Sequence, residues 1–246
     1  MMFIPTRKFF KPFNAALAAL LLACAAPAWA EDIEAQFRQA NAAYQAGNYQ
    51  QAFHLMQPLA QQGIIVSAQH NLGLLYFHGR GVAQNYQQAA AWFQKAADQG
   101  YADSQFRLAK LYAWGLGVPQ NHQQAAAWFQ KAAEQGHAKA QVYLGSMYRT
   151  GDGVKRNYQQ ALAWYRKAAD QGQADAQNEL GIMYAAGEGV AKNDQQAIEW
   201  FNKVLAQPDT PQNAQAKDSA TAQMAFAVLR KPLILQKRLN SKNVPR

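Results

Sequence analysis

The most regular candidate for chemistry in this chain is a G-x-G-V motif that recurs with a 36-residue period. Its copies begin at Gly79, Gly115, Gly151 and Gly187. Glycine-rich loops cradle phosphate groups when they follow a strand and open a helix. Here each motif instead follows a helix-like run, and the motif recurs in four copies. We therefore interpret it as a repeated turn rather than a nucleotide-binding loop.

Other catalytic signatures are absent from the sequence. It contains no G-x-x-x-x-G-K-(S/T), H-E-x-x-H, S-x-x-K or G-x-S-x-G motif. The five histidines show no metal-ligand spacing, and neither His70 nor His78 has a carboxylate partner in sequence. Cys24 is the only cysteine, which excludes thiol catalysis and cysteine-based metal sites in a chain cleaved after Ala30. The sequence therefore predicts no enzyme, no cofactor and no metal.

The period itself predicts a helical solenoid, because self-similarity every 20–50 residues indicates stacked units. The first run of each unit carries an apolar stripe at i, i+3, i+4, as in Leu72, Leu75 and Tyr76. A small residue stands beside the Leu of each copy: Gly73, Ala109, Gly145 and Gly181. Glycine inside a helix costs about 1 kcal/mol relative to alanine. We therefore expect a helix crossing at this point that is too close for a Cβ atom.

The second run of each unit has recurring start and stop signals. Asn85, Asn121, Asn157 and Asn193 are predicted N-caps, and a Gln three residues later completes a capping-box-like pair. Gly100, Gly136 and Gly172 occupy C-terminal cap positions. Tryptophan recurs in phase at Trp92, Trp128, Trp164 and Trp200. With its alanine neighbours it is predicted to be core rather than a ladder of ligand contacts.

The full pattern, A-x-x-x-L-G-x-x-Y-x-x-G-x-G-V-x-x-N-Y-x-x-A-x-x-W-(F/Y)-x-K-A-A-x-x-G, resembles the Sel1-like repeat, a relative of the tetratricopeptide repeat. The resemblance implies an all-α fold, a right-handed α/α superhelical solenoid whose first helices line the concave side. It also implies an adaptor that binds proteins or peptides. One exported, cysteine-rich subset of the family has been associated with binding or slowly hydrolysing β-lactams. This chain lacks the cysteine pair of that subset.

The pattern divides the chain into segments. Residues 31–66 are predicted to form a divergent, tetratricopeptide-like N-terminal hairpin, and residues 67–208 hold four Sel1-like repeats. Terminal repeats are expected to diverge because one face meets water. A C-terminal capping helix is predicted over 209–229, starting at Thr210-Pro211. Residues 230–246 are predicted to be a flexible basic tail.

The N-terminus indicates export. Residues 1–30 combine three basic residues, an apolar stretch and the sequence Ala-Trp-Ala before Glu31, as in a signal peptide cleaved after Ala30. We therefore expect a periplasmic protein. The alternatives are a secreted protein, or a lipid-anchored one, because Leu-Leu-Ala before Cys24 resembles a lipobox.

The net charge of +9 is confined to the two ends of the chain, because residues 31–229 carry 15 basic and 15 acidic side chains. This balance argues against a nucleic-acid-binding body. The tail places six cations in residues 230–246 and no acids. It is predicted either to contact an anionic envelope surface or to be a solvated segment without a role.

The better binding candidates are positions of the first helices that differ between copies. If these helices line the concave face, they place an aromatic and basic set in its middle, and interfaces are enriched in Trp, Tyr and Arg. The predicted partner-binding residues are Phe77, Phe106, Arg107, Lys110, Trp114, Tyr143 and Arg149. They suit a peptide with acidic groups, or a sugar stacked on Trp114. The alternative is an ordinary solvated face with Trp114 tucked against the next repeat.

The sequence thus predicts a non-catalytic exported scaffold that binds a protein or peptide partner in a concave groove, as an adaptor or regulator in the bacterial envelope. Two alternatives remain. One is a secreted or surface factor that contacts host cells. The other is a penicillin-binding or β-lactamase-like enzyme, for which no nucleophile with a neighbouring base is found in the sequence.

Overall fold

The computed structural model describes residues 28–225, which contain helices and no strand. The helices are α1 (Ala28–Gln45), α2 (Tyr49–Gln62), α3 (Val66–His78), α4 (Tyr86–Asp98), α5 (Ala102–Trp114), α6 (His122–Glu134), α7 (Ala138–Thr150), α8 (Tyr158–Asp170), α9 (Ala174–Ala186), α10 (Asp194–Leu205) and α11 (residues 214–225). From α1 to α10 each helix packs against the next along the chain, as in a stack of hairpins. The predicted all-α solenoid is confirmed. The signal-peptide region before residue 28 and the basic tail lie outside the described residues.

Each second helix of the full repeats begins at its asparagine. The Asn85 side chain accepts a hydrogen bond from the Gln88 N–H at 2.9 Å, and Asn121, Asn157 and Asn193 do the same. A capping box would also pair the Gln side chain with the Asn N–H, and that part of the capping-box prediction is wrong. The Asn85 N–H donates instead to the Tyr76 carbonyl at 2.9 Å. The loop thereby ties the end of one helix to the start of the next.

The glycines inside the first helices face aromatic rings. A Cβ on Gly73 would lie 2.7 Å from Phe93, and one on Gly145 would lie 2.9 Å from Tyr165. The expected close contact is confirmed, but the neighbour is a side chain of the second helix rather than its backbone. Phe93 and Tyr165 are fully buried, so the glycine makes room for a large aromatic core side chain of the same hairpin.

The second glycine of each G-x-G-V motif joins neighbouring repeats. Gly117 has a φ of +72°, and a Cβ there would overlap the backbone of Tyr86, at the start of the preceding second helix. The equivalent glycines are Gly81, Gly153 and Gly189, and each approaches the same point of its preceding repeat. The loop therefore packs directly on the neighbouring helix end.

Buried glutamines form a ladder along the stack. The Gln105 amide donates to the Ala97 carbonyl at 3.1 Å, and Gln135 donates to the Gln105 side-chain oxygen at 2.7 Å. The other three ladder pairs are Gln69 with Gln99, Gln141 with Gln171, and Gln177 with Gln207. Each step links the second helix of one repeat to both helices of the next. The buried amides thereby keep hydrogen-bond partners, as buried polar groups require.

The last repeat is covered by α11. Ala216 and Ala220 of α11 are buried and belong to the same apolar cluster as Phe201 and Val204 of α10. Residues 211–213 form a turn, so the helix begins at residue 214, later than predicted. The predicted end at residue 229 lies outside the described residues. Within residues 28–225, no helix combines the length and apolar character needed to cross a bilayer.

Replacing Gly117 with alanine is expected to destabilise the protein more than replacing Gly136. Both glycines have positive φ, +72° and +88°, but only at Gly117 would the new Cβ meet backbone atoms. Overlap in a packed interface typically costs 1–3 kcal/mol, so we expect the free energy of unfolding of Gly117→Ala to be lower by about that much than that of Gly136→Ala. Urea denaturation measures both. Equal losses would show that the contact between repeats adds nothing.

Candidate functional site

Three adjoining clefts lie along the first helices of the repeats. They have volumes of about 400, 320 and 350 Å³ and follow one another from α3 to α11. Neighbouring clefts share residues: Arg107 lines the first two, and Tyr143 lines the last two. We call this continuous surface the first-helix groove.

The groove is built from a few equivalent positions of the repeat. Most of the lining residues that first helices supply stand at i, i+3, i+4 and i+7, counted from the first turn of the helix. In α5 these are Asp103, Phe106, Arg107 and Lys110, and in α7 they are Lys139, Val142, Tyr143 and Ser146. This spacing places four side chains on one face of a helix.

Four of the seven predicted binding residues meet in the middle cleft. Phe106, Arg107 and Lys110 enter it from α5, and Tyr143 enters it from α7. Tyr143 is 37% exposed, and its ring stacks on Phe129 with centroids 5.0 Å apart. The middle cleft is therefore an aromatic and basic site made by two neighbouring repeats.

Trp114 lies outside the lining of these clefts but adjoins it. Its side chain is 48% exposed, so the alternative in which the next repeat covers it does not hold. The Lys110 ammonium lies 4.4 Å from the centroid of the Trp114 ring, within the range of a cation–π contact. Lys110 thereby connects the middle cleft to an exposed tryptophan.

Three of the seven predicted residues, one of which also lines the middle cleft, are engaged by other side chains of the protein. Arg149 forms ion pairs with Glu179 and Glu188, each at 3.5 Å, so its charge is compensated there. Phe77 is half-buried, with its ring 5.3 Å from that of Tyr86. Phe106 lines the groove but is only 6% exposed. Its ring stacks on His137 at 4.5 Å. It thus supports the floor of the groove and offers little surface to a partner.

Three cations are crowded in the middle cleft. Burial lowers the pKa of Lys110, and the neighbouring charges of Arg107 and Lys139 lower it further. Asp175 is the carboxylate that lines the same cleft. Burial raises the pKa of Asp175, and the charge of Lys139 opposes that rise. The cleft therefore carries an excess of positive charge.

Lys139 and Asp175 were missed by the sequence analysis, although a signal was present. They stand 36 and 72 residues after Asp103, at the same first-turn position of consecutive first helices. The predicted row of partner-binding positions began one helical turn after this position and extended to that of Arg149. The actual lining is shifted toward the helix N-terminus, the direction in which helical side chains lean.

The histidines of the groove have structural partners. His70 Nδ1 lies 2.8 Å from Ser104 Oγ, but Ser104 is fully buried and is closed to a substrate. His137 Nδ1 accepts the Ala140 N–H, and its Nε2 lies 3.1 Å from Asp103. Over residues 28–225, no group of three or more His, Cys, Asp or Glu side chains could hold a metal. The histidines of the groove are thus held by contacts within the protein.

The tryptophans of the second helices belong mainly to the core. Trp92 and Trp164 are buried, as predicted, and Trp128 and Trp200 are half-buried. In each repeat a lysine three residues later lies 3.8–4.1 Å from the tryptophan ring centroid. These lysines cover the exposed edge of the core, which supports the structural interpretation.

Comparison with known families and structures gives a consistent match. The family model described as Sel1 repeat matches five segments, residues 33–64, 66–101, 102–137, 138–173 and 174–207. The first segment is the hairpin interpreted above as a divergent repeat. The comparison with curated proteins found no significant match.

Two solved structures are similar over most of the chain. A Sel1 repeat protein from Oxalobacter formigenes is 36% identical, with a TM-score of 0.68 over 76% of this chain and 74% of that one. A protective antigen present in uropathogenic Escherichia coli strains, which displays an SLR fold, is 31% identical with the same TM-score of 0.68. That match covers 92% of this chain and 52% of the longer antigen.

Acid is expected to destabilise the protein through His70. Burial lowers the pKa of His70 from 6.5 to about 4. Between pH 6.5 and pH 4, His70 is protonated in the unfolded chain but stays neutral in the folded protein. The full contribution of His70 to the free energy of unfolding is therefore present above pH 6.5 and is lost as the pH falls toward 4. The expected loss is about 3 kcal/mol. Urea denaturation at several pH values in this range measures the free energy of unfolding. That free energy should depend less on pH in His70→Gln than in the wild type, whereas His54→Gln, at an exposed site, should keep the wild-type dependence.

Proposed function

Because the chain belongs to the Sel1 repeat family, we propose that it is a non-catalytic, exported scaffold that holds a protein or peptide partner in the first-helix groove. Sel1 repeat proteins are typically protein-interaction scaffolds, and their fold is generally non-enzymatic. The partner-binding residues proposed for this chain are Arg107, Lys110, Trp114 and Tyr143.

The observation that carries the proposal is the middle cleft. Among the side chains that the structure describes, residues 30–225, Trp114 and Tyr143 are the large aromatic ones that remain exposed. They flank Arg107 and Lys110, which form no ion pair with a carboxylate of that part of the chain. Exposed aromatic side chains beside a half-buried arginine, in the middle of a cleft, have the composition of binding hot spots. The groove walls are fixed by the core, so little entropy is lost on binding.

The site of action proposed for the chain is the bacterial envelope, and the support comes from residues 1–30. The positive N-terminal region, the apolar stretch and the Ala-Trp-Ala sequence are those of a cleaved export signal. A secreted or surface location is the second candidate. It is favoured by the 31% identity to a protective antigen of uropathogenic Escherichia coli. The third candidate is an exported protein that is anchored to the membrane by a lipid on Cys24.

Site-specific photocrosslinking tests the groove. A photoreactive phenylalanine analogue in place of Tyr143 is expected to form an adduct with one discrete partner in the cells that make the protein. The same analogue in place of Gln130, exposed on second helix α6, should form none. Adducts are read by gel shift and mass spectrometry.

Two controls accompany that experiment. Unchanged thermal melting of both variants shows that the fold is kept, because neither side chain is buried. Equal adduct patterns from positions 143 and 130 would contradict binding in the groove.

The N-terminus of the mature protein tests export. We expect the protein purified from the periplasmic fraction to begin at Glu31, because Ala-Trp-Ala precedes it. N-terminal sequencing distinguishes this result from a lipid-blocked chain beginning at Cys24. Full-length protein confined to the cytoplasm would contradict the proposed location, and mature protein found mainly in the medium would favour secretion.

A further inference from the structure

We infer that the occupant of the middle cleft is a short acidic peptide segment, bound in extended form across α5 and α7. Its carboxylates contact Arg107, Lys110 and Lys139, and an apolar side chain of the same segment packs on Tyr143. This inference rests on the proposed scaffold function and adds the chemistry of the partner.

The first support is the charge balance along the groove. Toward its C-terminal end, Arg149 is compensated by Glu179 and Glu188. Toward its N-terminal end, the Asp103 carboxylate, 3.1 Å from His137 Nε2, offsets one of the two cations that line the cleft there, Arg107 and Lys139. In the middle, three cations line one cleft with the single carboxylate of Asp175. The positive excess is thus local and lies where the aromatic surface is exposed.

The second support is that the scaffold holds these cations close to one another. The Lys110 ammonium lies 4.4 Å from the Trp114 ring centroid and 5.6 Å from that of Phe106. Arg107 and Lys139 line the same cleft from neighbouring repeats. Burial lowers the pKa of Lys110, and repulsion from Arg107 and Lys139 lowers it further. A carboxylate entering the cleft relieves that repulsion, so charge complementarity selects an acidic partner.

The third support is a fixed surface for an apolar side chain. Tyr143 stacks on the buried Phe129 with an interplanar angle of 10° and meets Phe106 edge-on at 5.7 Å. A ring held by two neighbours loses little freedom when a ligand covers it. Val142, half-buried beside it, extends the apolar surface. One apolar residue next to the acidic residues therefore has a place to pack.

The flanking acids argue against a long polyanion. Asp103 and Asp175 stand on either side of Lys139 at equivalent positions of consecutive repeats. A nucleic acid or a row of phosphates along the groove would pass over both carboxylates. A short peptide avoids them, because the Phe106 ring of α5 and the Tyr143 ring of α7 have centroids only 5.7 Å apart at the cleft. An extended chain rises about 3.3 Å per residue, so roughly two to three residues cross from α5 to α7.

The test is selection of ligands from a random peptide display library by the full-length protein. We expect the selected peptides to be rich in Asp and Glu, with acidic residues about two to three positions apart and an apolar residue near them. A synthetic copy of one selected peptide, carrying a fluorescent label, then serves as the probe for anisotropy titrations.

Charge-reversal variants distinguish binding in the middle cleft from a general attraction of the acidic probe to the positive charge of the protein. The triple variant Arg107→Glu, Lys110→Glu, Lys139→Glu should bind the probe at least about tenfold more weakly. The double variant Lys155→Glu, Arg156→Glu reverses exposed charges in the loop before α8 and should bind like the wild type. Lys139→Gln alone, at an exposed site, should still weaken binding several-fold if the triple variant does not fold.

Each outcome has a definite meaning. Selected peptides that are neutral or basic, but lose binding in Tyr143→Ala, would overturn the acidic partner and leave the scaffold function standing. No selected peptide, together with no crosslink from position 143, would overturn both. Phosphatidylglycerol vesicles or single-stranded DNA bound by the wild type and released by the triple variant, without acidic peptides, would overturn the inference in favour of a membrane or nucleic-acid ligand.

Discussion

The stacking of this protein depends on one contact, the approach of the second glycine of each G-x-G-V loop to the backbone that opens the preceding second helix. Only a residue without a Cβ fits there, and the same glycine has the positive φ that the turn requires. Because the contact joins backbone to backbone, it fixes the spacing of neighbouring repeats. It also recurs at every loop, so one local constraint propagates along the chain.

Two sets of hydrogen bonds complete the scaffold. The Asn caps, with the Asn85 N–H held by the Tyr76 carbonyl as the first example, close each hairpin. The buried Gln ladder joins each hairpin to the next. Both sets use amide side chains at invariant positions of the four copies. With these positions committed to folding, the first helices can vary at the groove without disturbing the stack.

The groove shows how a repeat protein acquires an individual surface. Position 107 of the second copy is Arg, and the equivalent positions of the next copies are Tyr143 and Glu179. The same structural position thus supplies a cation, an aromatic ring and an acid along one groove. Arg149 forms ion pairs with Glu179 and Glu188, whereas Arg107 forms none with the described part of the chain. Similar residues on similar helices therefore differ in what they can offer a partner.

The sequence by itself determined the fold class, the repeat length, the Asn caps and the closeness of Gly73 to its hairpin partner, because these depend on periodic local patterns within one or two helices. It also singled out Arg107, Lys110, Trp114 and Tyr143 as residues that vary between copies. Only the tertiary structure decided which of them share a cleft, that Phe106 is buried, that Arg149 is neutralised by Glu179 and Glu188, and that Lys139 joins the basic cluster. The physical reason is that these facts depend largely on contacts between different repeats. Such a contact depends on the rotation from one hairpin to the next, which no pattern within a single repeat specifies.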